Sequence, residues 1–80
     1  MIESLPFSPP FHPVITVHIN GQAQAFEARL TLAELLTRID LAGKRLAVER
    51  NGDIVPRSQH GDAVIVDGDR LEIVVAVGGG

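Results

Sequence analysis

Gly78, Gly79 and Gly80 close the sequence directly behind an apolar run, and no other segment has comparable chemical potential. Glycine removes every side-chain obstruction and leaves the backbone free. Three such residues extend roughly 10 Å, enough to enter a narrow channel in a partner. An α-carboxylate on Gly80 has an ordinary pKa of about 3.3–3.7 and is ionised at neutral pH. As an anion it is a poor electrophile but a competent nucleophile toward the α-phosphorus of ATP. Adenylation would turn it into a good acyl donor. A frayed, inert glycine end is the competing reading of the same residues.

The other residues capable of chemistry do not assemble into a site on paper. His12, His18 and His60 lie in three different segments without metal-ligand spacing. Asp62, Asp67 and Asp69 surround Gly68, but the carboxylate spacing and closing Glu of a calcium loop are missing, so they suit turns. Ser4, Ser8 and Ser58 have no neighbouring base to activate them. No glycine-rich loop opens a helix to cradle phosphate. The chain is expected not to be an enzyme by itself, and to bind no metal or cofactor.

The elements that must carry the tail are constrained by size and composition. Eighty residues allow one small domain. Hydrophobic residues make up 45% of the chain and all three aromatics are Phe, two of them near the N-terminus, so the core must be aliphatic. The absence of cysteine excludes disulfides and thiolate metal sites. A formal charge of -3 argues against nucleic acid as the main partner. No apolar run is long enough to span a membrane, and prolines interrupt the region where a secretory signal would lie. The expected location is the cytoplasm.

Residues 1–13 (MIESLPFSPPFHP) contain four of the five prolines and read as a mobile leader, or as a segment folding Leu5, Phe7 and Phe11 onto a sheet. From Val14 the pattern alternates: Ile15, Val17 and Ile19 share one strand face, Asn20-Gly21 makes a tight turn, and Gln22 to Phe26 returns as a hairpin. Thr31-Leu32-Ala33-Glu34 fits a capping box. Leu32, Leu35, Leu36 and Ile39 then form a helix stripe of about three turns, ended over Asp40 to Gly43 with Gly43 as terminator. Leu46 to Arg50 is a strand, followed by Asn51-Gly52 and a short Asp53 to Val55 strand that Pro56 stops. Arg57 to Asp62 reads as an irregular loop with Ala63 to Val66 packed beneath it, and Asp67-Gly68-Asp69 as a turn. Leu71, Ile73, Val75 and Val77 alternate along the last strand. Its off-phase residues Val74 and Ala76 are also apolar, and belong either to a second buried face or to a docking patch.

One helix cannot cover two sheets, so the economical packing is one mixed sheet of four to five strands with the helix across one face. Setting the last strand beside the first brings the two most apolar strands to the centre. That arrangement is an α+β fold of the β-grasp, or ubiquitin-like, type, with a leader at 1–13, a domain at 14–77 and a glycine tail at 78–80.

Against that frame the sequence resembles the thiamine-biosynthesis sulfur carrier (ThiS) family, within the group that also holds the small subunit of molybdopterin synthase. The resemblance rests on Ile15-Thr16-Val17-His18-Ile19-Asn20-Gly21, the helix start Thr31 to Leu36, and the run Val48 to Arg57 with its Asn-Gly-x-Ile-Val-Pro-Arg segment. It continues through Asp67-Gly68-Asp69-Arg70-Leu71-Glu72-Ile73-Val74 to Val77-Gly78-Gly79-Gly80. It implies a ThiF-like enzyme that uses ATP to adenylate Gly80, a sulfur donor such as a cysteine desulfurase system, and a ThiG-like thiazole synthase that receives sulfur from the resulting thiocarboxylate. Gly79 and Gly80 match the family's functional positions, with Gly78 an additional small residue. The leader is longer than the family usually has, and His60 stands where many relatives carry an aromatic such as Trp. A sulfur carrier for molybdopterin synthase or another pathway, and a plain β-grasp interaction module, are the alternatives.

Overall fold

A computed structural model describes residues 13–77. The expectations for the leader and for the glycine tail therefore fall outside the described residues, apart from Pro13. The chain runs through β1 (Val14–Ile19), β2 (Gln22–Glu27), β3 (Leu30–Thr31), α1 (Leu32–Arg38), β4 (Leu46–Arg50), β5 (Asp53–Ile54), a 3-10 turn (Arg57–Gln59), β6 (Val64–Ile65) and β7 (Arg70–Val75).

Five strands form a mixed sheet in the order β2-β1-β7-β4-β5, with β1 and β7 parallel and every other neighbour antiparallel. The expected pairing of the first and last strands is present and central. Alternation along β1 sends Ile15, Val17 and Ile19 inward, and along β7 it does the same for Leu71 and Ile73. Leu32, Leu35 and Leu36 of α1 close over them together with Val48, Leu30 and Ile65. Full burial of a leucine contributes about 1.5–3 kcal/mol, which holds a helix too short to persist alone in water.

Both Asn-Gly turns adopt the left-handed pairs that a two-residue hairpin turn requires: Asn20 has φ 51° and Gly21 86°, and Asn51 has φ 51° and Gly52 92°. The capping box is complete, with the Glu34 N–H donating to Thr31 Oγ1 (3.1 Å) and the Thr31 N–H donating to Glu34 Oε1 (2.9 Å).

Three local expectations need correction. The helix spans only seven residues, about two turns, and its left-handed stop is Asp40 (φ 66°), three positions before Gly43. The Leu41 N–H returns to Leu36 O (2.8 Å) and the Asp40 N–H to Thr37 O (3.1 Å), a Schellman closure that ends the helix once Leu41 can seat against the core. Next, part of the expected irregular loop is the 3-10 turn. Finally, Val64–Ile65 is a short strand paired with Leu30–Thr31 in a separate two-stranded ladder, with Ile65 buried and Val64 and Val66 about half exposed. Two-residue strands carry no periodicity to detect.

Asp40 places a Cβ in a conformation that glycine adopts freely, and a negative charge beside the helix's negative end. Asp40→Gly is expected to stabilise the fold by about 1 kcal/mol, measurable as a higher denaturation midpoint with an unchanged slope.

Candidate functional site

β7 delivers the chain to its final residues, so the site begins with what holds β7. On the β1 side, the His18 N–H donates to Asp69 O and the Asn20 N–H to Leu71 O, both at 2.9 Å. β1 ends at Ile19, and the Asn20 side chain takes over the role of a strand residue. Its Oδ1 accepts from the Ile73 N–H (2.7 Å) and its Nδ2 donates to Ile73 O (3.0 Å). On the other side β4 pairs with β7 from Arg50↔Leu71 to Leu46↔Val75. Pairing continues past the strand's end, where the Ala76 N–H donates to Arg45 O (2.8 Å). Val77 then stands 90% exposed.

The start of β7 is held by a polar clasp that sequence reasoning missed. Asp69 is 4% exposed. Its carboxylate accepts from the Val66 N–H (3.0 Å) and Asn51 Nδ2 (3.0 Å), and pairs with Arg50 Nη2 at 2.8 Å. Asn51 Oδ1 accepts from the Arg70 N–H (2.9 Å), and Arg50 also donates to Val64 O (2.8 Å). Burial alone would raise the Asp69 carboxyl. The hydrogen bonds from Val66, Asn51 and Arg50, with the Arg50 charge, outweigh it and hold the group below the ordinary carboxylate range. The available signal was the placement of both Asn-Gly turns at the ends of strands that flank β7. Their asparagines do more than tolerate positive φ.

The remaining candidates take structural places. Asp67 Oδ1 accepts from the Thr16 N–H (2.7 Å), in keeping with its turn assignment. His60 is buried, with Nε2 3.1 Å from Val55 O, and its carbonyl accepts from the Ala33 N–H (2.9 Å). Among the described residues no three His, Asp or Glu side chains form a metal-holding group, and no helix is long and apolar enough to cross a membrane.

Val74 and Ala76, left open between core and docking patch, both lie on the solvent side of the sheet, Val74 at 65% exposure. They line an open groove with Arg45, Leu46, Ala47 and Arg57, directly beside the point where the chain leaves the sheet.

The match to the ThiS family covers residues 17–80, from within β1 to the last glycine. The chain belongs to the ThiS family. A crystal structure of the thiamine biosynthesis protein (ThiS) from Geobacter metallireducens superposes with a TM-score of 0.71 at 28% identity, covering 82% of this chain and 100% of that one. This ThiS-family chain is also 34% identical over 61 residues to the sulfur carrier protein ThiS of Escherichia coli K12, covering 76% of this chain and 92% of that protein. It is 44% identical over 62 residues (78% of this chain) to a thiazole synthase of Paramagnetospirillum magneticum, of which it spans only 19%. The ThiS-family assignment and the observed order of strands agree with the expected β-grasp fold.

Proposed function

We propose that this chain is a sulfur carrier rather than an enzyme, and that Gly80 is the atom-carrying terminus. A Gly80 carboxylate oxygen attacks the α-phosphorus of ATP in a ThiF-like partner, releasing pyrophosphate and leaving an acyl adenylate. A persulfide from a cysteine desulfurase system attacks the acyl carbon and AMP departs. A thiol then reduces the acyl disulfide, leaving a thiocarboxylate and a new disulfide on the donor side. The thiocarboxylate sulfur goes to a ThiG-like thiazole synthase. The similarity to thiazole synthases favours this outlet over molybdopterin synthase.

The observation that carries the reading is the exit of β7. A central strand, hydrogen-bonded on both sides, hands the chain at exposed Val77 to three residues without side chains. Such a scaffold fixes where the tail starts while leaving the tail narrow enough to thread. The test is intact mass after incubation with ATP, the cognate adenylating enzyme and a sulfur source. The expected product shows one oxygen replaced by sulfur at Gly80, on a chain that ends at Gly80 when isolated from its own cells. No exchange, or a natural chain that continues past Gly80 untrimmed, removes the reading.

Val74 and Ala76 are proposed to dock the adenylating partner beside the tail. Val74→Asp is expected to weaken that binding about tenfold. Its circular dichroism and melting should stay near wild type because the side chain is exposed. An unfolded variant would place Val74 in the core after all.

A further inference from the structure

Three cross-strand rows lie on the outer face of the sheet between the tail's exit and the Asn51-Gly52 turn. Arg45 stands opposite Ala76, Ala47 opposite Val74, and Glu49 opposite Glu72, with Ile54 of β5 on the other side of Glu49. All of these residues are exposed. Same-face rows are about 7 Å apart, so the glutamates sit about 14 Å behind the row from which the tail departs.

Two features of these rows do nothing for the isolated domain. Like charges directly opposite one another destabilise an antiparallel pair. Among the described residues the ion pair is Arg50–Asp69, and neither glutamate joins it. Val74 and Ile54 meanwhile leave apolar surface in water at 65% and 61% exposure. Toward the tail the charge reverses, because Arg45 and Arg57 border the groove that holds Val74 and Ala76. Across these three rows the order is cationic, then apolar, then anionic, running back from the tail, and Arg70, exposed on the same face of β7 one row beyond Glu72, returns a positive charge at the far end.

We propose that this face docks a partner protein bearing the complementary order. A carboxylate lies at the mouth of its tail channel against Arg45 and Arg57, an apolar patch covers Ala47 and Val74, and a Lys or Arg cluster caps Glu49 and Glu72. This deepens, and rests on, the reading of Val74 and Ala76 as the docking point for the adenylating partner. A directional sequence of charges admits one orientation of approach and opposes the reverse one, so the tail arrives pointing into the channel.

The experiment measures partner binding by titration calorimetry and adenylate formation by pyrophosphate release, using the full chain and its cognate adenylating enzyme. Wild type is compared with the Glu49→Gln/Glu72→Gln double variant at low ionic strength and at about 1 M salt, where the Debye length is about 3 Å. The expected result is a Kd and KM about five- to tenfold higher at low salt, within about twofold at high salt, with kcat held. The variant's melting midpoint should equal or exceed that of wild type, since a repulsion has been removed. Glu72→Lys should raise KM further at low salt. A double variant with wild-type Kd and KM at low salt overturns the proposal and leaves the sulfur-carrier reading standing. A lowered midpoint with equal losses at both salts also overturns it, assigning the pair a structural role. If wild type binds the enzyme but is never adenylated, the tail reading fails, and the Kd comparison alone decides the face. If wild type neither binds nor reacts, both fall.

Discussion

A chain lacking Gly79 and Gly80 is expected to take up no sulfur while melting like the full-length protein. Removing two residues withdraws the carboxylate by roughly 7 Å along the tail. Reaction requires the attacking oxygen within about 3–3.5 Å of phosphorus, and a misplacement of about 1 Å already costs on the order of a hundredfold. Adenylation should therefore fall by more than about a hundredfold, below detection in an intact-mass assay. The fold should not notice, because among the described residues the last one packed against the core is Val75. Gly79→Val separates reach from width. It keeps the carboxylate at full length but sets a β-branched side chain in the channel, so loading should fall steeply with melting unchanged. Sulfur loading of the truncated chain at the wild-type rate would sink the carrier reading outright.

The largest stability effect is expected at Asp69. Asp69→Ala removes the partner of Arg50 and the acceptor for the Val66 N–H and Asn51 Nδ2 together. Removing one member of a buried pair typically costs 3–5 kcal/mol. The Arg50 side chain is 25% exposed and can be partly resolvated, so about 3 kcal/mol is expected. At about 4–8 °C per kcal/mol for a small domain, the melting midpoint should drop roughly 12–24 °C. The pH dependence follows from the lowered carboxyl. With the folded pKa below the unfolded one, the contribution is fully present above the unfolded value of about 3.9. It is lost as pH falls through the folded value. Wild type should thus lose stability on acidification below about pH 4, and Asp69→Asn should show less of that slope. An Asp69→Ala variant melting within a degree or two of wild type would show that the clasp is ornamental.

Much of the architecture was legible because it is written in periodicity. Ile15, Val17 and Ile19 alternate, Leu32, Leu35 and Leu36 repeat at helical spacing, and each group packs where its period sends it. Thr31 and Glu34 announced their capping box through spacing alone. What stayed hidden was of two kinds. β3 and β6 are two residues each, shorter than any period that could reveal them. The Asp69 clasp joins groups 18 and 19 positions apart through Asn51, and the separate bonds of Asn20 to Ile73 span 53 positions, a matter of tertiary register rather than local pattern. Asp40 shows a third case, in which tertiary packing overrode a local preference. Leu41 had to reach the core, and the helix stopped at an aspartate although a glycine followed. For the site, the glycines themselves stood in plain view, whereas the exposure of Val74 depended on which face α1 would cover.

The central placement of β7, parallel to β1 and antiparallel to β4, has a mechanical consequence. On the proposed carrier reading, a partner that draws the tail into its channel would load the end of β7, whose bonds to both neighbours run across the strand. The load is thus shared by many bonds in shear instead of breaking them one at a time, as peeling an outer strand would. On that reading, tension on the tail would leave the body of the domain intact, and no refolding would be needed between rounds of loading and release.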